Sequence, residues 1–153
     1  MTPAEFIAAI APAAQASAAV TGVPASFTIA QAALESGWGK RTPGNNLFGI
    51  KADKSWQGCR VAVPTHEFID GRYVAVTADF RAYPGWQGCM DDHGAFLRDN
   101  DRYKPCFGTT DGEEFARRVA AAGYATDPDY AGKLIATMRA HDLRQFDAIT
   151  TAA

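Results

Sequence analysis

A chain of 153 residues that is 47% hydrophobic has the size and apolar content of one domain with a real core. Its 15 basic and 17 acidic side chains leave a net charge of −2, which gives no electrostatic footprint for nucleic acid and no broad attraction to acidic envelope polymers. No run reads as the roughly 18 to 20 apolar residues of a membrane span, and the alanine-rich start carries Glu5, Pro12 and Gln15 without a basic leader, so neither membrane insertion nor a cleavable signal is expected.

Thr2, Pro3 and Glu5 supply an N-cap, a first-turn proline and a reciprocal capping carboxylate, so a helix begins at once. Pro12 is expected to break or kink it, with a second helical stretch over residues 12–20 that stops at Gly22. Val23 and Pro24 lead into a further helix whose apolar face is Phe27, Ile29, Ala30, Ala33 and Leu34; Gly37 and Gly39 end it just after Glu35. Residues 42–58 read as a loop, but Leu47, Phe48 and Ile50 are too apolar to lie free in water and should pack beneath it. Residues 59–69 and 72–83 are rich in β-branched and aromatic side chains and are separated by Asp70 and Gly71, the signature of a tight hairpin.

After Pro84 the helical period returns, with Trp86, Cys89, Met90, His93, Phe96 and Leu97 on one broad face. Thr110 and Glu113 form a capping box ahead of Phe115, Val119 and Ala122, and Gly123 is placed as a left-handed stop. Asp127 caps a last helix with Pro128 in its first turn, running through Tyr130, Leu134, Ile135 and Met138 to about residue 141. Helices around one inserted hairpin make the class α+β: a single domain over residues 1–146, a β-lobe at about 59–83, and a disordered tail at 147–153.

Cys59, Cys89 and Cys106 are an odd count without CxxC spacing, and read as three buried or half-buried thiols, one bridge plus a free thiol being the alternative. His66 and His93 make no spaced metal set with cysteine or carboxylate, and the chain has no Gly-x-Ser-x-Gly elbow, Walker loop or dinucleotide fingerprint. No cofactor is implied. Cys59 with His66, or Cys89 with His93, would be available for cysteine-based amidase chemistry, but neither pair has a motif around it.

The chemically informative segment is residues 31–40, Gln-Ala-Ala-Leu-Glu-Ser-Gly-Trp-Gly-Lys. An acid ending a mostly buried helix beside Trp38 is a candidate proton donor, because apolar surroundings disfavour the carboxylate and raise its pKa. The plain alternative is a solvated last-turn glutamate.

Residues 31–40, then 45–51 (Asn-Asn-Leu-Phe-Gly-Ile-Lys) and 124–131 (Tyr-Ala-Thr-Asp-Pro-Asp-Tyr-Ala) resemble, in order, three signatures of the glucosaminidase family, glycoside hydrolase family 73. The resemblance runs from about residue 6 to about residue 143. It implies a lysozyme-like, mainly helical domain with a small β-lobe beside a substrate cleft. The implied activity is cleavage of the β-1,4 bond after N-acetylglucosamine in peptidoglycan glycan strands, with Glu35 as the family's leading acid. Glu67, in the strand motif Thr65-His66-Glu67, matches the family's second acid, and Tyr124 matches its tyrosine, where it would stack on a sugar face and donate its hydroxyl.

Cleavage needs a proton for the departing oxygen and a second group for the oxocarbenium-like centre: a carboxylate about 5 to 5.5 Å away for retention, about 6.5 to 9.5 Å for inversion, or the substrate's own acetamido oxygen. In that third route Tyr124 would hold the acetamide. Asn45, Asn46, Phe48 and Lys51 are expected to form cleft wall, Trp38 to pack against Glu35, and Tyr130 to stand between core and cleft.

The expected protein is thus a monomeric, cofactor-free, endo-acting peptidoglycan hydrolase of the periplasm or cell wall. It would arrive there through a holin, a secretion system or as part of a longer parent. A lytic transglycosylase or muramidase on the same polymer is the nearest alternative, and a non-catalytic wall-binding or assembly module is the alternative from another class.

Overall fold

A capping box opens the first helix: the Thr2 hydroxyl accepts from the Glu5 backbone N–H and the Glu5 carboxylate accepts from that of Thr2. The computed structural model describes residues 1–147. Its helices are α1 (Pro3–Thr21), α2 (Ala25–Ser36), α3 (Trp86–Asp99), α4 (Gly112–Ala121) and α5 (Tyr130–Ala140). Strands β1 (Cys59–Ile69) and β2 (Arg72–Ala82) stand between α2 and α3, and short 3-10 turns occupy Pro43–Asn45, Asp101–Gly108 and Leu143–Asp147.

Contrary to the expected break, α1 runs unbroken through Pro12 to Thr21 and ends at Gly22, whose φ of 83° is left-handed. The reason is placement. Pro12 lies on the exposed face with Ala8, the residue whose carbonyl loses its amide partner, so that carbonyl stays open to water. Unbroken, α1 is also long and apolar enough by composition to cross a membrane, contrary to the expectation that no run has that character. Alanine supplies much of that character, and the stripe Phe6, Ile7, Ile10, Ala11 and Ala14 is buried in the protein core.

Helix α2 is the core element. Residues Ala25 to Ala33 are all buried along it, and burying side chains such as Phe27 and Ile29 contributes on the order of 1.5 to 3 kcal/mol each. Leu34, assigned to the apolar face by spacing, is instead on the exposed side. Gly37 ends the helix at φ 60°, its N–H donating to the Ala33 carbonyl.

The hairpin forms as its turn dictates. Asp70 and Gly71 have φ of 50° and 79°, the primed turn whose twist suits two strands, and the register runs from Cys59 opposite Ala82 to Ile69 opposite Arg72. Val61, Val63, Thr65 and Glu67 are more covered than the residues alternating with them. The other edge of β2 is tied down by the preceding loop: Ala52 donates to Asp79, Arg81 to Ile50, and Tyr83 to Gly44, at 2.8 to 3.0 Å.

Three boundaries differ from expectation. The N-cap of α4 is Asp111, which accepts from the Glu114 N–H, whereas Glu113 is withdrawn from the expected box by two hydrogen bonds from Arg139 on α5. Helix α5 starts at Tyr130, so Pro128 precedes it, and Asp127 closes the turn by accepting from the Asp129 N–H. Asp147, assigned to the tail, ends the last 3-10 turn and accepts from the Ser26 N–H at 2.8 Å; the rest of that segment, 148–153, lies outside the described residues. Cys89 and Cys106 are buried, but Cys59 is exposed because it starts an edge-facing strand, and all three are free.

Helices α1 and α3 approach closely at Gly94, where an added Cβ would lie 2.4 Å from the Thr21 methyl carbon. Gly94→Ala gains about 1 kcal/mol of helix propensity but overpacks a buried contact, which costs about 1 to 3 kcal/mol. A net loss of stability is expected, read as a lower urea midpoint at unchanged slope. A raised midpoint would show that the two helices are not in fixed contact there.

Candidate active site

Helix α2 carries Gln31 and Glu35 one turn apart on one face. Gln31 is completely buried, whereas Glu35, next to the helix end, is exposed by surface area, so the burial that acts on its carboxyl comes from the packed side facing α5 and not from enclosure. Facing them is Tyr130, the first residue of α5, buried except for 4% of its surface. Its hydroxyl accepts from Gln31 Nε2 at 2.8 Å and donates to Glu35 Oε1 at 2.9 Å. Two effects therefore act on the Glu35 carboxyl. Burial raises its pKa and the Tyr130 hydrogen bond lowers it; burial is the larger, so the acid holds its proton above the usual glutamate range.

Tyr124, in the turn before α5, stacks on Tyr130 with ring centroids 6.0 Å apart and planes 13° from parallel. Beyond it come Tyr103, 6.0 Å from Tyr124, and Phe96, 6.1 Å from Tyr103. An aromatic run thus leads away from the acid. Burial and the nearby Glu35 charge push both the Tyr124 and Tyr130 phenols up, so they act as hydroxyl donors.

The other sequence candidates divide. Glu67 is on β1, half-exposed, and forms an ion pair with the exposed Lys51 at 2.7 Å. No hydrogen bond or ion pair joins either to Glu35 among the described residues. Asn45 is in a left-handed conformation (φ 58°) and gives its amide to the Tyr83 carbonyl, closing the loop against the end of β2.

Asn46 and Phe48 are not cleft wall. Asn46 is buried, its amide donating to the Ile50 and Arg81 carbonyls and its oxygen accepting from the Phe48 and Ile50 N–H groups, which leaves nothing for a sugar. Phe48 is buried face to face on His93, 3.7 Å between centroids, because the apolar loop it belongs to must fold inward. The Trp38 ring packs edge-on to Phe6 at 6.0 Å and to His141 at 4.8 Å.

Sequence reasoning gives Gln31, His93 and Tyr103 no role beside the acid. Gln31 had a signal, since it is a polar residue on the buried side of an otherwise apolar helix, four residues before the acid. Cavities of about 510 and 490 Å³ flank α1, and one of about 580 Å³ lies by Arg81 and Asp92 at the hairpin base; Glu35 lines none of them.

The profile of the glucosaminidase family, described as mannosyl-glycoprotein endo-beta-N-acetylglucosaminidase, matches residues 11–143. The chain is 45% identical over 141 residues to the peptidoglycan hydrolase FlgJ of Vibrio parahaemolyticus, an alignment that covers 88% of this chain and 46% of that protein. It spans about half the length, or somewhat less, of the curated relatives it matches. Among solved structures it resembles a peptidoglycan hydrolase mutant from Sphingomonas sp. A1, with 40% identity, a TM-score of 0.80, and coverage of 93% of this chain and 96% of that one. It also resembles the glycoside hydrolase domain of FlgJ from Salmonella typhimurium, with 34% identity, a TM-score of 0.80, and coverage of 95% and 91%. The matched stretch takes in the helix with Glu35, the hairpin and the helix that begins at Tyr130, and nearly complete solved domains superpose on it, so the α+β fold is lysozyme-like and the chain belongs to the glucosaminidase family.

Proposed function

We propose that this chain hydrolyses peptidoglycan as an endo-acting N-acetylglucosaminidase, cutting the β-1,4 bond between N-acetylglucosamine and N-acetylmuramic acid in the periplasm or cell wall. The observation that carries the proposal is the Glu35 carboxyl, set at the end of a buried helix with its pKa raised and hydrogen-bonded by Tyr130 on one oxygen only. In its protonated form such an acid carries the proton on its other oxygen and gives it to the departing glycosidic oxygen as the bond breaks. Tyr124, whose ring is backed by Tyr130, holds the acetamido group of the sugar from which the bond is cleaved. Glu67, ion-paired with Lys51, is the second carboxylate, brought by the hairpin to the other side of the glycan. One copy of the chain carries the whole Glu35, Tyr130 and Tyr124 set, so the working unit is a monomer.

Digestion of purified sacculi, followed by borohydride reduction and mass spectrometry, tests the bond assignment. Fragments ending in reduced N-acetylglucosamine are expected. Reduced muramic ends would make the protein a muramidase, anhydro-muramic ends a lytic transglycosylase, and binding without fragments a wall-binding module.

Glu35→Gln removes the transferable proton and should lower kcat by about 10² to 10⁴ with binding to sacculi retained. Because burial penalises the charged form, the native state binds the Glu35 proton more tightly than the unfolded chain does. Stability therefore falls as pH rises through the interval between the two pKa values, and the neutral glutamine should unfold at neutral pH no earlier than wild type. A Glu35→Gln protein that clears walls like wild type removes the assignment.

The same sign governs activity: kcat falls as pH rises through the raised Glu35 pKa. Tyr130→Phe deletes the bond that lowers it, so the alkaline limb of kcat should move to higher pH. An unmoved limb would mean that another group titrates there.

A further inference from the structure

Behind the acid lies a chain of polar atoms in an otherwise apolar interior. His93 of α3 is fully buried, stacked on Phe48 at 3.7 Å and lying over Phe27 at 6.3 Å. Its Nε2 stands 2.6 Å from Gln31 Oε1, and Gln31 Nε2 in turn reaches the Tyr130 hydroxyl that meets Glu35. The other ring nitrogen, Nδ1, is the one buried side-chain nitrogen or oxygen without a partner among the described residues. Burial drives the His93 pKa down to about 3, so the ring is neutral and carries one proton.

Two proton arrangements fit these atoms. With the His93 proton on Nε2, each donor in the line has an acceptor: His93 to Gln31, Gln31 to Tyr130, Tyr130 to Glu35. Left over are a bare Nδ1 lone pair and the second Gln31 N–H, which has no acceptor in either arrangement. With the Gln31 amide turned over, the proton moves to Nδ1 and becomes a buried N–H with no acceptor, Gln31 Oε1 takes the Tyr130 proton, and Glu35 loses its donor. Orphaned buried N–H groups are the rarer fault in folded proteins, which selects the first arrangement.

We propose that His93 and Gln31 are positioning residues that fix the direction of the Tyr130 hydrogen bond, so that Glu35 Oε1 always accepts and the transferable proton resides on Oε2. The inference rests on Glu35 being the general acid. The groups facing Glu35 are the neutral Tyr130 from α5 and Tyr124 from the turn before it, while Lys51 and Glu67 of the hairpin side are paired with each other.

The test combines nitrogen-15 NMR of the wild-type histidines with kinetics on soluble, uncross-linked glycan strands as a function of pH. His93→Phe keeps a ring between Phe48 and Phe27 but removes the N–H that orients Gln31. Gln31→Glu offers oxygen alone and draws the Tyr130 proton away from Glu35. The wild-type spectrum should show His93 as the Nε2–H tautomer throughout the folded range. Both variants should move the alkaline limb of kcat upward by about one pH unit, as Tyr130→Phe does. They should also lower kcat about tenfold with KM altered less than about twofold.

His93→Gln, which returns an N–H near the Nε2 position, should restore the wild-type limb. An Nδ1–H tautomer, or an unmoved limb in folded Gln31→Glu, overturns the proposal; if His93→Phe does not fold, the tautomer and Gln31→Glu decide it. Turnover retained by Glu35→Gln would instead remove the general-acid reading, a result distinct from the tautomer.

Discussion

The structure depends on holding one carboxyl between two opposed influences. At the end of α2, packing on one side of Glu35 raises its pKa, while the Tyr130 hydroxyl lowers it. A fully solvated acid would be ionised at neutral pH, and one buried with no hydrogen bond would hold its proton too tightly to give it up. The balance leaves the glutamate above its ordinary range, and it requires that α2 and α5 hold the Tyr130 hydroxyl within hydrogen-bonding reach of the acid.

Much of the rest of the fold serves that constraint. Helix α2 is buried along nearly its whole length, with α1, α4 and α5 among the elements packed around it. Small side chains make such packing close: Gly94 lets α3 meet α1 at Thr21, and Ala30, Ala32 and Ala33 leave the α2 surface narrow. The loop between α2 and the hairpin uses Asn46 as a four-way staple and Phe48 as a plug beneath His93. Both brace the site from inside, and neither is open to a ligand. Glu35 also illustrates a cost common to functional sites: the charged form is worse solvated in the folded protein than out of it, so the group that does the chemistry opposes stability as pH rises.

Local chemistry was legible in the sequence wherever it was decided locally. The Thr2 and Glu5 box, the Asp70 and Gly71 turn, the stop at Gly37 and the apolar loop of Leu47, Phe48 and Ile50 depend on neighbours within a few residues, and all appear as read. Errors arose where a distant partner decided. Pro12 is harmless because of which face of α1 meets solvent; Glu113 leaves its capping role because Arg139 approaches from α5. At the site, Glu35 was visible from the helix end and the glycines after it. Tyr130 as its partner, and the Gln31 and His93 line behind, required knowing that residues 31, 93 and 130 converge, which no spacing along the chain reveals.

At the Glu35 carboxyl burial outweighs the Tyr130 hydrogen bond, which sets its pKa above the ordinary glutamate range. Carbon-13 NMR titration of the glutamate side-chain carboxyls, with Glu35 assigned by its absence in Glu35→Gln, measures this directly. The account predicts one titration, that of Glu35, displaced above the usual glutamate value. Titration of Glu35 at or below that value would show a solvated or ion-stabilised carboxylate and contradict it.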